Sequence, residues 1–218
     1  NVNDFICTIH GFCVKFLREE IHRIGYPKTF KIFDEDDMRS LAIEVLTENG
    51  IDRKDKTVRD LLKAVHRKKS HKLYIEELIL PTSVILSDEK KKDLENQFIL
   101  KQKKYFSLDF NDLLYFTAFI LSRFDDCRHL WQNKMQYVMV DEVQDCTETE
   151  WGIFSVLSEQ YGNLFIVGDP DQSIYEWRGA APEIFVNFRA DKDIIMAENY
   201  RSTSIMEIPT QSDPLCPI

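Results

Sequence analysis

Glycine is scarce in this 218-residue sequence, with seven in all, and the spacing Gly-x-x-x-x-Gly-Lys-[Ser/Thr] occurs nowhere. The backbone nest and lysine with which such a loop cradles β- and γ-phosphates are therefore missing from these residues. No apolar run approaches the ~18 residues that a membrane-spanning helix needs. Asn1-Val2-Asn3-Asp4 offers no basic region leading into an apolar stretch, so neither a membrane partner nor a secretory leader is expected. The five cysteines (Cys7, Cys13, Cys127, Cys146, Cys216) are odd in number, widely spaced and without a CxxC pair. That excludes a disulfide framework and a structural zinc site, and leaves reduced thiols in a cytoplasmic protein as the expectation. An excess of positive charge is lacking too. A formal net charge of −9 argues against nucleic-acid binding by bulk electrostatics, although not against a local groove.

The hydrophobic fraction of 44% and charged fraction of 30% belong to an ordinary globular chain, long enough for one large domain or two small ones. Residues 5–10 form a short apolar run, and Gly11 is followed by Phe12-Cys13-Val14-Lys15-Phe16-Leu17, which reads as strand, turn and helix. From residue 34 to about 109 the pattern is helical, with apolar residues spaced along charged faces in 36–41, 58–63 and 90–104. Two basic clusters fall in this stretch, Arg67-Lys68-Lys69-Ser70-His71-Lys72 and Lys90-Lys91-Lys92. A solvated helix face is the first reading of each, and contact with a DNA backbone the second.

A helix over 110–124 follows, and then the period changes. Tyr137-Val138-Met139-Val140, Leu164-Phe165-Ile166-Val167 and Asp193-Ile194-Ile195-Met196 are short apolar runs separated by helical patterns. That alternation predicts a parallel sheet with crossover helices. In such sheets ligands bind beyond the carboxyl ends of the strands, which is where Asp141, Glu142, Gly168 and Asp169 stand. Asp141 and Glu142 directly after a buried strand can serve a nucleotide motor, one carboxylate holding Mg²⁺ and the other polarising water. They can equally be a solvated strand end that caps the next helix.

Val140-Asp141-Glu142-Val143-Gln144-Asp145, the block Gly168-Asp169-Pro170-Asp171-Gln172-Ser173-Ile174-Tyr175-Glu176-Trp177-Arg178-Gly179-Ala180 and Asn199-Tyr200-Arg201-Ser202-Thr203 decide between them. In residues, order and spacing they resemble the DExx box and the two following motifs of UvrD/Rep/PcrA-like superfamily 1 DNA helicases. Thr8-Ile9-His10-Gly11-Phe12 is similar to the Thr-Phe-His segment that precedes the helical insertion of that family. Leu108-Asp109-Phe110-Asn111-Asp112-Leu113-Leu114 is similar to the Asp-Phe-x-Asp-Leu segment that closes it. The resemblance runs from about Phe5 to Thr203. Ile9 and Val143 replace usual phenylalanines and Glu176 a usual glycine, all exchanges of surface or packing.

The resemblance implies an α/β fold: an incomplete RecA-like P-loop NTPase parallel sheet with helices on both faces, built from residues 1–33 and 110–205, with a helical subdomain inserted at 34–109. It implies an ATP-dependent 3′–5′ helicase that moves on single-stranded DNA and unwinds duplex DNA in repair or replication, with ATP and Mg²⁺ as cofactors. Asp141 would hold Mg²⁺, Glu142 would act as general base, and Gln172 would sense the γ-phosphate and the attacking water. Arg201 would stabilise charge on the transferring phosphoryl group, and Tyr200 would stack on adenine. Tyr175, Trp177 and Arg178 would line the DNA groove, where π-faces and a cation suit single strands. Thr8 and His10 would contact DNA as well. The phosphate loop of the family lies upstream of Asn1 and the second motor domain downstream of Thr203, so these residues alone are expected to be inactive. Two other readings stay open: a non-catalytic module that binds DNA or a partner, and a piece of a recombination helicase-nuclease subunit. Three prolines within 209–218 rule out a continuous helix there, and 206–218 is expected to be an atypical tail.

Overall fold

The computed structural model describes residues 5–69, 75, 93–174 and 179–196. Its first helix, α1 (Ile9–Glu20), starts where a strand is expected from the apolar run 5–10. Thr8 decides this: its extended backbone stops the helix and its hydroxyl oxygen accepts from the Gly11 N–H at 3.2 Å. An oxygen in that position satisfies one of the free N–H groups of the first turn, so the chain turns into a helix rather than continuing extended. Gly11 belongs to that turn. A short 3₁₀ turn (Ile21–Ile24) and β1 (Lys31–Ile32) follow.

The stretch expected to be helical contains α2 (Glu35–Glu48), α3 (Asp55–Lys69) and α4 (Leu94–Lys104), before β2 (Ser107–Leu108) and α5 (Phe110–Arg123). Asp34 with Asp37, and Asp109 with Asp112, form reciprocal capping boxes that fix the starts of α2 and α5. β1 and β2 pair in parallel, Lys31 beside Ser107 and Ile32 beside Leu108, so the chain leaves for the helices and returns at adjacent points. Lys101 of α4 ties this group together by pairing with Glu44 at 2.5 Å and Glu48 at 2.6 Å.

One continuous core joins α1 to α5 and to α6 (Asp125–Lys134). Phe16 and Trp131 are fully buried with ring centroids 4.9 Å apart, and Phe12 meets the Trp131 ring at a right angle. The indole N–H of Trp131 donates to Glu20 at 3.1 Å, and Arg23 bridges Glu20 and Asp126, each at 2.7 Å. Burial works against charge on Glu20, but the hydrogen bonds from Arg23 and Trp131 outweigh it and hold the carboxyl below its ordinary range.

One member of the basic cluster at the end of α3 departs from the solvated face expected of it, while Arg67 is exposed as that reading has it and Ser70, His71 and Lys72 lie outside the described residues. Lys69 is 2% exposed, and its ammonium donates to Asp109 at 2.6 Å, Asp112 at 2.7 Å and Gln102 at 2.8 Å. An ammonium taken out of water needs such partners, and α4 and α5 supply them. Burial opposes the Lys69 charge, yet the carboxylates of Asp112 and Asp109 prevail and hold its proton above the ordinary lysine range. Two carboxylates share this one cation. The wholly buried Asp112 is pushed up to about 6, by burial first and by the neighbouring Asp109 second.

Beyond α6 come β3 (Val138–Val140), a 3₁₀ turn (Val143–Asp145), α7 (Glu148–Ser158) and β4 (Leu164–Ile166). β3 and β4 pair in parallel, Val138 beside Leu164 and Val140 beside Ile166, with α7 as the crossover. A 3₁₀ turn (Pro170–Gln172) and α8 (Pro182–Asn187) end the described elements. The structure is mostly helical with two small parallel strand pairs, so the α/β reading holds in that coarse form. The expected third strand at Asp193–Met196 is not formed among the described residues: Ile194, Ile195 and Met196 are exposed, with no ladder to join. The tail 206–218 lies outside the described residues. None of the described helices is long and apolar enough to cross a membrane.

Candidate active site

Val140 is the last residue of β3 and Ile166 the last of its parallel neighbour β4, so whatever follows each strand emerges on the same edge. After β3 come Asp141 and Glu142, and after β4 come Gly168, Asp169 and the turn containing Gln172. The two loops are stitched by backbone: Val167 donates to the Val140 carbonyl at 2.8 Å and Val143 to the Val167 carbonyl at 3.0 Å. The geometry thus brings Asp141, Glu142 and Gln172 to one edge.

Glu142 adopts a left-handed backbone, φ 52 and ψ 41, which costs a non-glycine residue about 1–2 kcal/mol. Its N–H donates to Asp141 Oδ1 at 3.0 Å, binding the acid pair to itself. The strained turn redirects the chain, so that Val143 goes into the interior while Asp141 and Glu142 face solvent.

Gln144 is the residue that motif reading passed over. Its side chain is 1% exposed, and both ends of its amide are used. Nε2 donates to Glu142 Oε2 at 2.7 Å, while Oε1 accepts from the Asp169 N–H at 3.1 Å. Asp169 in turn accepts from Gln172 Nε2 at 2.7 Å on one oxygen and from the Asp171 N–H at 3.0 Å on the other. An unbroken chain of hydrogen bonds therefore runs from Glu142 through Gln144 and Asp169 to Gln172. Gly168 makes room for it. A Cβ there would stand 2.5 Å from Gln144 Oε1 and 2.9 Å from Val143 Cγ1, closer than atoms pack. The available signal was a buried amide two residues after Glu142 with a glycine facing it, which becomes visible only once the two strands are paired.

Thr8 and His10 group elsewhere, at the start of α1 against α5. The His10 ring meets Phe110 edge-on at 5.6 Å, and Phe110 is itself half exposed. Beside it, the Asn111 amide lies 3.2 Å from the His66 ring nitrogen Nδ1. Thr8 spends its hydroxyl on the helix cap. Tyr175, Trp177, Arg178, Tyr200 and Arg201 lie outside the described residues.

The four described cysteines are free, and burial pushes the thiols of Cys13, Cys127 and Cys146 up to about 12, so these three are unsuited to nucleophilic work. Among the described residues no group of three or more His, Cys, Asp or Glu side chains could hold a metal by itself. What this edge offers is a pair of solvent-facing carboxylates on a rigid turn, wired to a glutamine on the next loop.

Residues 3–193 match the UvrD/REP helicase N-terminal domain. The chain is 35% identical over 211 residues to the ATP-dependent DNA helicase PcrA of Bacillus subtilis, an alignment covering 91% of this chain and 27% of that protein. It is 33% identical over 211 residues to PcrA of Staphylococcus epidermidis and 34% identical over 210 residues to a probable DNA helicase II homolog of Mycoplasma capricolum, covering in each case 91% of this chain and 28% of the relative. It thus spans little more than a quarter of the length of these relatives. With the acid pair and the Gly-Asp-Pro-Asp-Gln loop meeting at the ends of two parallel strands, and the family match extending over most of its residues, the chain belongs to the UvrD/REP helicases, whose N-terminal domain its residues 3–193 match.

Proposed function

We propose that this chain is part of an ATP-dependent 3′–5′ DNA helicase, and that the edge formed after β3 and β4 is its hydrolytic centre. The observation that carries the reading is the hydrogen-bonded path from Glu142 to Gln172 across two strand ends. Such an edge is where open parallel sheets bind ligands. We read residues 1–33 and 110–205 as the motor portion of a RecA-like sheet and 34–109 as the insertion. The adjacent exit and return at β1 and β2 supports this division. Met139 and Phe165 of the strand pair, 74% and 50% accessible and paired side by side, support a sheet face that another layer of the full-length protein covers.

The donor set fits Mg²⁺. It is a hard cation that takes oxygen ligands, keeps several waters, and is commonly held by one or two carboxylates together with substrate phosphates. Asp141 offers such an oxygen: Oδ1 accepts the Glu142 N–H, and Oδ2 is the other. When bound with ATP, Mg²⁺ would supply neutralisation of charge on the phosphates. Glu142, oriented through its own carboxylate by Gln144, takes the proton from the attacking water. Gln172 on the adjoining loop orients that water and contacts the γ-phosphate. Arg201 stabilises the transferring group and Tyr200 stacks on adenine. On the DNA side, Tyr175, Trp177 and Arg178 stack bases and hold phosphates, and Thr8 and His10 form a second contact that the half-exposed Phe110 ring extends.

The test is single-stranded-DNA-stimulated ATP hydrolysis by the full-length protein. Glu142→Gln is expected to lower kcat by about 10²–10⁴-fold, the usual worth of a positioned general base. Hydrolysis by that variant at the unsubstituted rate would sink the assignment. The 218 residues alone are expected to turn over ATP negligibly, and robust turnover by them would contradict their dependence on further segments.

A further inference from the structure

Gln144 bonds the expected general base and not the substrate, and it is a 1% exposed polar side chain that reaches both loops of this edge, beside the backbone bonds that stitch them. We propose that Gln144 is a positioning residue that locks the Glu142 carboxylate in place and couples its orientation to the loop carrying Asp169 and Gln172. The inference rests on the hydrolytic reading above and deepens it.

Three observations carry it. The first is strain: the left-handed backbone of Glu142 is unfavourable for a residue with a Cβ, so something must over-determine it. The described restraints on Glu142 are its N–H to Asp141, the turn bond from Asp145 N–H to its carbonyl at 3.0 Å, and the 2.7 Å bond from Gln144 Nε2 to its side chain. Only the last one fixes the carboxylate. The second is complementarity: a primary amide has a donor and an acceptor at opposite corners, and here one corner faces a carboxylate and the other a backbone N–H. A carboxylate of that reach has no donor to offer Glu142. The third is space: Gly168 leaves the volume that Gln144 Oε1 fills, so the second loop is cut to receive this side chain.

The consequence is mechanical. If single-stranded DNA moves the segment after Gln172, Asp169 moves with it, and the shift reaches Glu142 through one rigid amide. An orienting partner of this kind typically changes activity by about 10–100-fold.

The experiment compares three variants of the full-length protein with Glu142→Gln. Gln144→Glu keeps the size and the acceptor for the Asp169 N–H but replaces the donor facing Glu142 with a repelling carboxylate. Gln144→Ala removes both bonds. Gly168→Ala leaves Gln144 in the chain and displaces it from outside. All three are expected to lower DNA-stimulated kcat about 10–100-fold while KM for ATP and the affinity for an oligothymidylate stay within about threefold. Thermal unfolding of Gln144→Glu should remain cooperative. A merely structural residue would change these quantities together. If Glu142→Gln stops turnover but Gln144→Glu and Gly168→Ala keep kcat within about twofold of the unsubstituted protein, the relay is wrong and the hydrolytic reading stands. If kcat, KM and DNA affinity collapse together in all three, Gln144 is structural and the proposal is overturned. Glu142→Gln at full rate would overturn both.

Discussion

The charged network at the end of α3 and the polar chain at the strand ends use similar groups to opposite effect. At Lys69, the last residue of α3, an ammonium is sealed among Gln102 of α4 and Asp109 and Asp112 at the start of α5, and the surrounding core is continuous from α1 to α7. At the strand ends, a core of Val140, Val143 and Trp151 supports carboxylates that remain open to water, and the strand residues Met139 and Phe165 are exposed. The first region has satisfied its charges internally and is complete in itself. The second has left its carboxylates available and its sheet face bare, which is how a site differs from a clamp.

Substitutions can break this contrast, and the largest effect belongs to the clamp. Lys69→Ala leaves Asp109 and Asp112 buried without their cation and is expected to cost about 3–5 kcal/mol in urea unfolding of this chain. A loss below about 1 kcal/mol would mean that water reaches the carboxylates and the clamp is not sealed.

A smaller effect depends on pH. Because the folded-state value of Asp112, about 6, lies above the ordinary aspartate value, the folded chain takes up a proton as pH falls from 7 to 5 while the unfolded chain does not. Acidification over that window therefore stabilises the unsubstituted chain relative to Asp112→Asn, by about 1 kcal/mol. Denaturation at the two pH values checks it: an unchanged difference would show that Asp112 is already ionised at pH 5.

The least effect is expected at the bare face. Met139→Ser should change the stability of this chain by no more than about 0.5 kcal/mol, since its side chain packs little. A loss of 2 kcal/mol or more would show that this face is covered.

Much of this was legible in the sequence where neighbours along the chain decide the outcome. The helix expected over 110–124 became α5, and the apolar runs before Asp141 and Gly168 became β3 and β4. The failures have a common physical cause. Phe5 to His10 looks like a strand until the Thr8 hydroxyl finds the Gly11 N–H, and Asp193–Met196 is apolar but a strand exists only through its partner. Lys69 sits in a basic run that reads as wet, and its carboxylates are brought to it by a fold that closes over some forty residues. Asp141, Glu142 and Gln172 were visible as motif residues, whereas Gln144 acquires its meaning only from Gly168 across the strand pair.

The neck at Lys31–Ile32 and Ser107–Leu108 has a consequence for how such a chain can change over time. Both crossings run in the same direction and lie side by side, held by bonds from Lys31 N–H to Phe106 and from Phe33 N–H to Leu108, each 2.9 Å. Lengthening the excursion between them costs only loop-closure entropy, about 0.6 kcal/mol for each doubling. Helices can thus be added, trimmed or exchanged at this point while the strands beyond it keep their register, making the neck a low-cost port for evolutionary variation.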